Sequence, residues 1–176
     1  MGVEQAQSQC QDHMEKPLHT IGDVFDKLSS IVNNDDLEVV QFVEAASTLS
    51  KLFRCLGVAF KFAEIDINAK VQDLMDASQS FRTLQDLLDH DVKRKCARKA
   101  GSHSRNLLRL KQGIEFVKVF FEQILSTEEN SLREPASTAY SQVLASSHGW
   151  AIRKAVAAGL YAIPTRAQLF KNLNEN

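Results

Sequence analysis

Apolar residues recur along this chain at intervals of three and four, and polar breaks divide them into a series of amphipathic helices. The longest of these segments runs from Asp91 to Leu125. It starts basic and polar, then becomes a helix whose apolar face carries Leu107, Leu110, Ile114, Val117, Phe121 and Leu125, widened by Leu108, Val119, Phe120 and Ile124. Ahead of it, Pro17 and Thr20 introduce a first helix with Ile21, Val24, Phe25, Leu28 and Ile31 on its apolar side. The run Asn33-Asn34-Asp35-Asp36 predicts a turn and the cap of the next helix, which extends from Leu37 to about Ala59. Val40, Val43, Leu49, Leu52, Phe53, Leu56 and Phe60 form its expected core face, with Gly57 as its weak point.

The same period predicts a helix after Phe60 with Ile65, Ile67, Val71 and Leu74, and another in SQSFRTLQDLLDHDVKRK with Phe81, Leu84, Leu87 and Leu88 pointing inward. Gly101 and Ser102 break the chain before the long helix. Beyond Leu125, STEENSLREPAST is polar but too short for a domain boundary, and Pro135 is placed to start or redirect a helix. Tyr140, Val143 and Leu144 resume the apolar pattern, which breaks at SSHG. In WAIRKAVAAGLYAIP the small residues Ala157, Ala158 and Gly159 would permit close approach between helices. Pro164 ends that element and RAQLFKNL gives a short terminal helix. No strand alternation or hairpin turn pair appears, so the predicted fold class is all-α.

At 176 residues and 44% hydrophobic composition the chain suits one domain with a sizeable core, expected over residues 17–176 behind a polar, flexible arm at residues 1–16. Lys plus Arg number 21 and Asp plus Glu 22, a net charge of -1 that argues against broad nucleic-acid binding. Cys10, Cys55 and Cys96 are dispersed and odd in number, which favours free thiols in a reducing compartment. The N-terminus has no apolar signal core, and Ala6 stands where a myristoylation signal would carry Ser or Thr. With no apolar run long enough to span a bilayer, cytosolic residence is the expectation.

Candidate chemistry lies in a few charged and polar groups. Arg105 and Arg109 sit one helical turn apart, roughly 6 Å between Cα atoms, so their two forks either face solvent as a basic strip or receive an oxyanion carried on an apolar molecule. Asp66 and Lys70 have the same spacing. They form an intrahelical ion pair, or else Asp66 accepts from an amide or hydroxyl while Lys70 faces a phosphate. His148 is either a satisfied surface or capping histidine, or a ring N–H donor to a ligand carbonyl. Nothing near it spells a metal motif, and His103 beside Ser102 and Ser104 is no stronger a catalytic signal. No G-x-S-x-G, Walker loop, H-E-x-x-H or dinucleotide fingerprint is present. The expectation is no enzyme, no cofactor and no metal.

EIDINAKVQDL, RKAGSHSRNLLRLKQG, HGWAIRKAV and YAIPTRAQL, in this order, resemble the glycolipid-transfer-protein superfamily, and most closely its ceramide-1-phosphate carriers. The resemblance covers nearly everything after the N-terminal arm. It implies a two-layer all-α helical sandwich that holds a sphingolipid and makes transient peripheral contact with membranes. It implies that Asp66 recognises the sphingoid amide and hydroxyl, that His148 contacts the acyl-amide carbonyl, and that Lys70, Arg105 and Arg109 receive the phosphate. Arg109 takes the place where glycolipid-binding members carry a sugar-stacking tryptophan, and a cationic fork suits phosphate rather than sugar. A close plant member has a further basic residue where this chain has Gln112, so weaker phosphate affinity or membrane docking is expected. The implied function is non-enzymatic intermembrane transfer of ceramide-1-phosphate or phytoceramide-1-phosphate, with a role in sphingolipid balance and programmed cell death. The alternative is a sphingolipid sensor or lipid-regulated interaction module. An acid/base enzyme using Asp66 and His148 has no reaction signature behind it.

Overall fold

Eight α-helices carry the described chain, residues 16–32 and 36–174 of a computed structural model. They are α1 (Pro17–Val32), α2 (Val39–Cys55), α3 (Lys61–Ala77), α4 (Leu84–Lys93), α5 (His103–Leu125), α6 (Arg133–Val143), α7 (Trp150–Gly159) and α8 (Arg166–Asn172). The expected N-terminal arm and the turn at Asn33–Asp35 fall on residues outside the described ones, apart from Lys16 and Asp36. Among the described residues there is no strand, only an isolated antiparallel bridge between Glu38 and Thr83. That bridge has a capping purpose. The Val39 N–H donates to the Arg82 carbonyl (2.9 Å) and the Leu84 N–H to the Leu37 carbonyl (2.9 Å), so each strand-like pair satisfies the first orphan donor of a helix.

The architecture is a two-layer all-α sandwich. Helices α1, α2 and α3 are neighbours in one layer, α4, α5 and α6 in the other, and α3 rests on α5 where the layers meet. Phe53 and Phe60 stack at 5.6 Å between ring centroids, Phe53 and Phe116 at 6.2 Å, and Phe116 and Phe120 at 5.9 Å. This row runs through the centre of a core whose fully buried members include Leu49, Leu52, Leu74, Leu87, Leu110 and Ile124. Gly113 lies where α5 crosses the other layer: a Cβ there would meet the Ile67 and Leu49 methyls at 3.7 and 3.8 Å, ordinary contact distances.

Several expectations are corrected in detail. The second helix stops at Cys55 instead of continuing to Ala59, because Gly57 takes φ +83°, a left-handed conformation that ends the helix before a single 3-10 turn at Val58–Phe60. Its N-cap is Glu38, not the preceding Asn/Asp run. On α5 the buried stripe is Leu107, Leu110, Gly113, Phe116, Phe120 and Ile124, rotated from the predicted one, so Leu108 and Leu125 are exposed. Val40 and Ile65 are exposed as well. Ala157 and Ala158 face solvent, so they mediate no close helix packing.

Three polar devices fix the helix that carries the arginine pair. Ser102 caps α5 by accepting from the Arg105 N–H (3.2 Å), and the buried Asp91 carboxylate accepts from the Ser104 N–H (2.8 Å). At the other end Arg166, from the YAIPTRAQL segment, donates to the Ile124 carbonyl (3.0 Å) and to that of Thr127, placing a cation on the last carbonyls of α5. The neutral amide of Asn172 on α8 closes α2, donating to the Cys55 carbonyl at 3.0 Å.

Candidate functional site

Helix α3 presents Asp66 and Lys70 one turn apart, and they form an ion pair between Lys70 Nζ and Asp66 Oδ1. The two ends of the pair differ: Lys70 is 15% exposed and Asp66 65%. The ammonium is thus held close to the helix surface by packing, while the carboxylate reaches outward with lone pairs free for further donors. The ion-pair and ligand readings of these residues are therefore compatible.

Arg105 and Arg109 both lie partly buried on one side of α5. Their environments diverge. Among the described residues no hydrogen bond or ion pair engages the Arg105 guanidinium. Arg109 is tied down: Nη1 donates to Ser147 Oγ (2.6 Å) and to Gln112 Oε1 (3.1 Å), and Nη2 donates to the Ser147 carbonyl (3.3 Å). Ser147 ends the short turn Ala145–Ser147, and His148 follows it directly. Through this tie α5 holds the turn that carries the histidine.

His148 Nδ1 lies 3.0 Å from the Tyr140 hydroxyl of α6. Burial lowers the His148 pKa below its ordinary 6.5. The positive charges of Arg109 and Arg153 push the same way, and the Asp66 carboxylate opposes them. Burial also raises the Tyr140 pKa, so the phenol keeps its proton. A protonated phenol facing a neutral imidazole can donate to Nδ1, and in that tautomer the proton of the ring sits on Nε2 as a hydrogen-bond donor. The electrostatic coupling of His148 to both Asp66 and Arg109 brings these three residues, far apart in sequence, into one neighbourhood.

Exposed apolar groups border this polar cluster. Phe62 is 85% exposed and Ile65 precedes Asp66 on α3, while Trp150, 75% exposed, and Ile152 follow His148 on α7. Val58 and Tyr161 are also exposed, and Arg133 lies 3.8 Å above the Tyr161 ring. Among the aromatic residues here, Trp150 and Tyr161 are at the surface and Tyr140 is buried. No helix among the described residues is long and apolar enough to cross a membrane. Nor do those residues group three or more His, Cys, Asp or Glu side chains in a way that could hold a metal ion.

Sequence reasoning missed Ser147, Tyr140 as a partner of His148, and the buried acids Asp91 and Glu64. Glu64 accepts from Lys61 (2.9 Å) and Arg54 (3.2 Å) at the junction of α2 and α3. Burial alone would raise its pKa, but these two cations bring it below the ordinary value. A glutamate three residues after one lysine was the only sequence signal for this cluster.

Comparison with known proteins gives a consistent picture. The family described as Glycolipid transfer protein (GLTP) matches residues 37–175. Accelerated cell death 11 of Arabidopsis thaliana is 55% identical over 165 residues, 92% of this chain and 80% of that protein. The ceramide-1-phosphate transfer protein of Xenopus tropicalis is 29% identical over 160 residues, 83% of this chain and 74% of its own. A crystal structure of an Arabidopsis accelerated-cell-death 11 mutant complexed with C12 ceramide-1-phosphate superposes with a TM-score of 0.89 at 54% identity, covering 93% of this chain and 83% of that one. The apo form of the Arabidopsis protein gives a TM-score of 0.85 at 55% identity, covering 93% and 85%.

Proposed function

The chain belongs to the glycolipid transfer protein family, and from that premise we propose that it is a non-enzymatic carrier of ceramide-1-phosphate or its phytoceramide counterpart between membranes. Support comes from the relatives named as ceramide-1-phosphate transfer proteins and from the related chain crystallised with that lipid. Support from this chain itself rests on one observation: Arg109 is fixed against the turn that carries His148, and the charge of Asp66 acts on the same histidine. A phosphate donor set and an amide recognition set thereby share one wall.

In this reading Asp66 accepts from the sphingoid amide N–H and hydroxyl, and the His148 Nε2–H donates to the acyl carbonyl. Lys70, Arg105 and Arg109 surround the phosphate. An unpaired phosphate is costly to desolvate, so these cations decide which headgroup enters. The hydrocarbon chains lie between the helical layers, where each buried CH₂ contributes about 0.8 kcal/mol and long chains dominate affinity. Residence is cytosolic, with transient contact to a bilayer through exposed groups such as Phe62, Trp150 and Ile152. Control of sphingolipid balance and cell death follows as the physiological role, and no bond of the lipid is made or broken.

Native mass spectrometry tests this. After incubation with vesicles of mixed sphingolipids, the protein is expected to carry a single intact ceramide-1-phosphate in preference to ceramide and glycosylceramide. Recovery of dephosphorylated lipid, or of glycerophospholipid in its place, would contradict it.

A further inference from the structure

A guanidinium has five N–H donors in one plane, and three of those of Arg109 are already engaged. Nη1 serves two acceptors, Ser147 Oγ and Gln112 Oε1. One hydrogen of Nη2 is used on the Ser147 carbonyl. The remaining donors are Nε–H and the second Nη2–H, which lie along the same edge of the plane. Such an edge is the fork that meets two oxygens of a phosphate side by side.

The partners themselves are held. Ser147 donates its hydroxyl proton to the Leu144 carbonyl (2.9 Å), and its N–H reaches the same carbonyl at 3.0 Å. The Ser147 oxygen therefore presents lone pairs, not its proton, to Arg109. Gln112 stands one turn beyond Arg109 on α5, where its amide oxygen accepts from the guanidinium without bringing a charge. A lysine or arginine at that position would have no acceptor to offer and would repel Arg109.

We propose that Ser147 and Gln112 are positioning residues that aim the Nε/Nη2 edge of Arg109 at the lipid phosphate. Gln112 thus supplies orientation without adding a second charge. Because Ser147 directly precedes His148, the same tie sets the phosphate edge at a fixed place relative to the amide-recognising histidine. Selectivity is then for a phosphate attached close to the sphingoid amide. This inference rests on the reading that Arg109 receives the phosphate.

The test is equilibrium binding of ceramide-1-phosphate and of neutral ceramide to the full chain and to Ser147→Ala, Ser147→Thr, Gln112→Met and Arg109→Met, with Ser147→Ala repeated in the Arg109→Met background. Thermal melts accompany each variant. Ser147→Ala and Gln112→Met are each expected to lower ceramide-1-phosphate affinity about five- to twentyfold, the scale of misaligning one charge-assisted hydrogen bond, with ceramide changed less than about twofold. Ser147→Thr restores the hydroxyl and the affinity, and in the Arg109→Met background Ser147→Ala has no further effect. Gln112→Met, outside the histidine turn, keeps the test decisive if the serine variant folds poorly. An unchanged lipid ratio in both variants, with a lowered ratio in Arg109→Met, overturns the proposal and leaves the role of Arg109 standing. Parallel losses for both lipids also overturn it, since they mark a structural role alone. An unchanged ratio in Arg109→Met removes the phosphate reading of Arg109 and this inference with it.

Discussion

Replacing Asp91 with Ala is expected to loosen the N-terminus of α5, the end that carries Arg105 and Arg109. Asp91 is only 2% exposed, accepts from the Ser104 N–H at 2.8 Å, and also receives the Cys96 thiol at 3.4 Å. Removing the carboxylate deletes one charge-assisted bond and leaves a first-turn N–H without a partner, about 3 kcal/mol together with the weak thiol contact. For a chain of this size each kcal/mol moves the melting temperature by about 2–4 °C, so the expected drop is about 6–12 °C. Asp91→Asn keeps an acceptor oxygen and loses only the charge, so about half that drop is expected.

The pH dependence separates this account from simple cavity formation. Burial pushes the Asp91 carboxyl up, but the Ser104 N–H and the Cys96 thiol outweigh it, and the folded-state pKa lies below the ordinary 3.8. A depressed carboxyl contributes stability that is complete above the unfolded value and is lost as pH falls through the folded one. Urea unfolding from pH 7 down to about pH 3 should show the gap between wild type and Asp91→Asn closing in acid. A melting temperature for Asp91→Ala within about 1 °C of wild type, or a gap to Asp91→Asn that is constant with pH, would refute the reasoning.

Other perturbations address the lipid site. Asp66→Val should leave the melt nearly unchanged, since its exposed helical ion pair is worth about 0.2–0.5 kcal/mol, while binding of every sphingolipid falls; intact binding would remove Asp66 from the site. Arg109→Met should weaken ceramide-1-phosphate about 10- to 150-fold, the span of one hydrogen bond to a charged group, with a smaller loss for neutral ceramide from the loosened His148 turn, and equal losses would indicate a folding defect. Tyr140→Phe removes the hydrogen-bond partner of His148 Nδ1, so it should weaken ceramide and ceramide-1-phosphate alike; a loss confined to the phosphorylated lipid would contradict that role. The His148 ring should titrate below 6.5 by NMR, and its midpoint should rise in Arg109→Met, where one of the charges opposing protonation is gone. Since the lowered pKa means that the unfolded chain binds the proton first, the contribution of His148 to stability is lost as pH falls below 6.5.

The helices were legible because a 3.6-residue period survives in every segment, and their ends were legible where a Ser, Thr or Pro marks a cap, as at Ser102, Thr165 and Pro17. The rotated stripe of α5 was not, since Leu108 and Leu125 are as apolar as Phe116 and only the packing of α3 and α6 decides which side faces in. The charged members of the proposed site were visible as pairs one turn apart. Ser147 was not, because its meaning depends on a contact with a residue 38 positions away. Asp91 and Glu64 hid for another reason. In a charged stretch a buried acid reads the same as a solvated one until the donors around it are known.

The central claim, selective carriage of a phosphosphingolipid, is tested most directly by timing the movement of ceramide-1-phosphate between donor and acceptor vesicles, beside matched glycosylceramide and glycerophospholipid. The account predicts protein-dependent transfer of ceramide-1-phosphate well above both controls, with the lipid arriving intact. Tight binding without exchange, or equal movement of glycosylceramide, would contradict it.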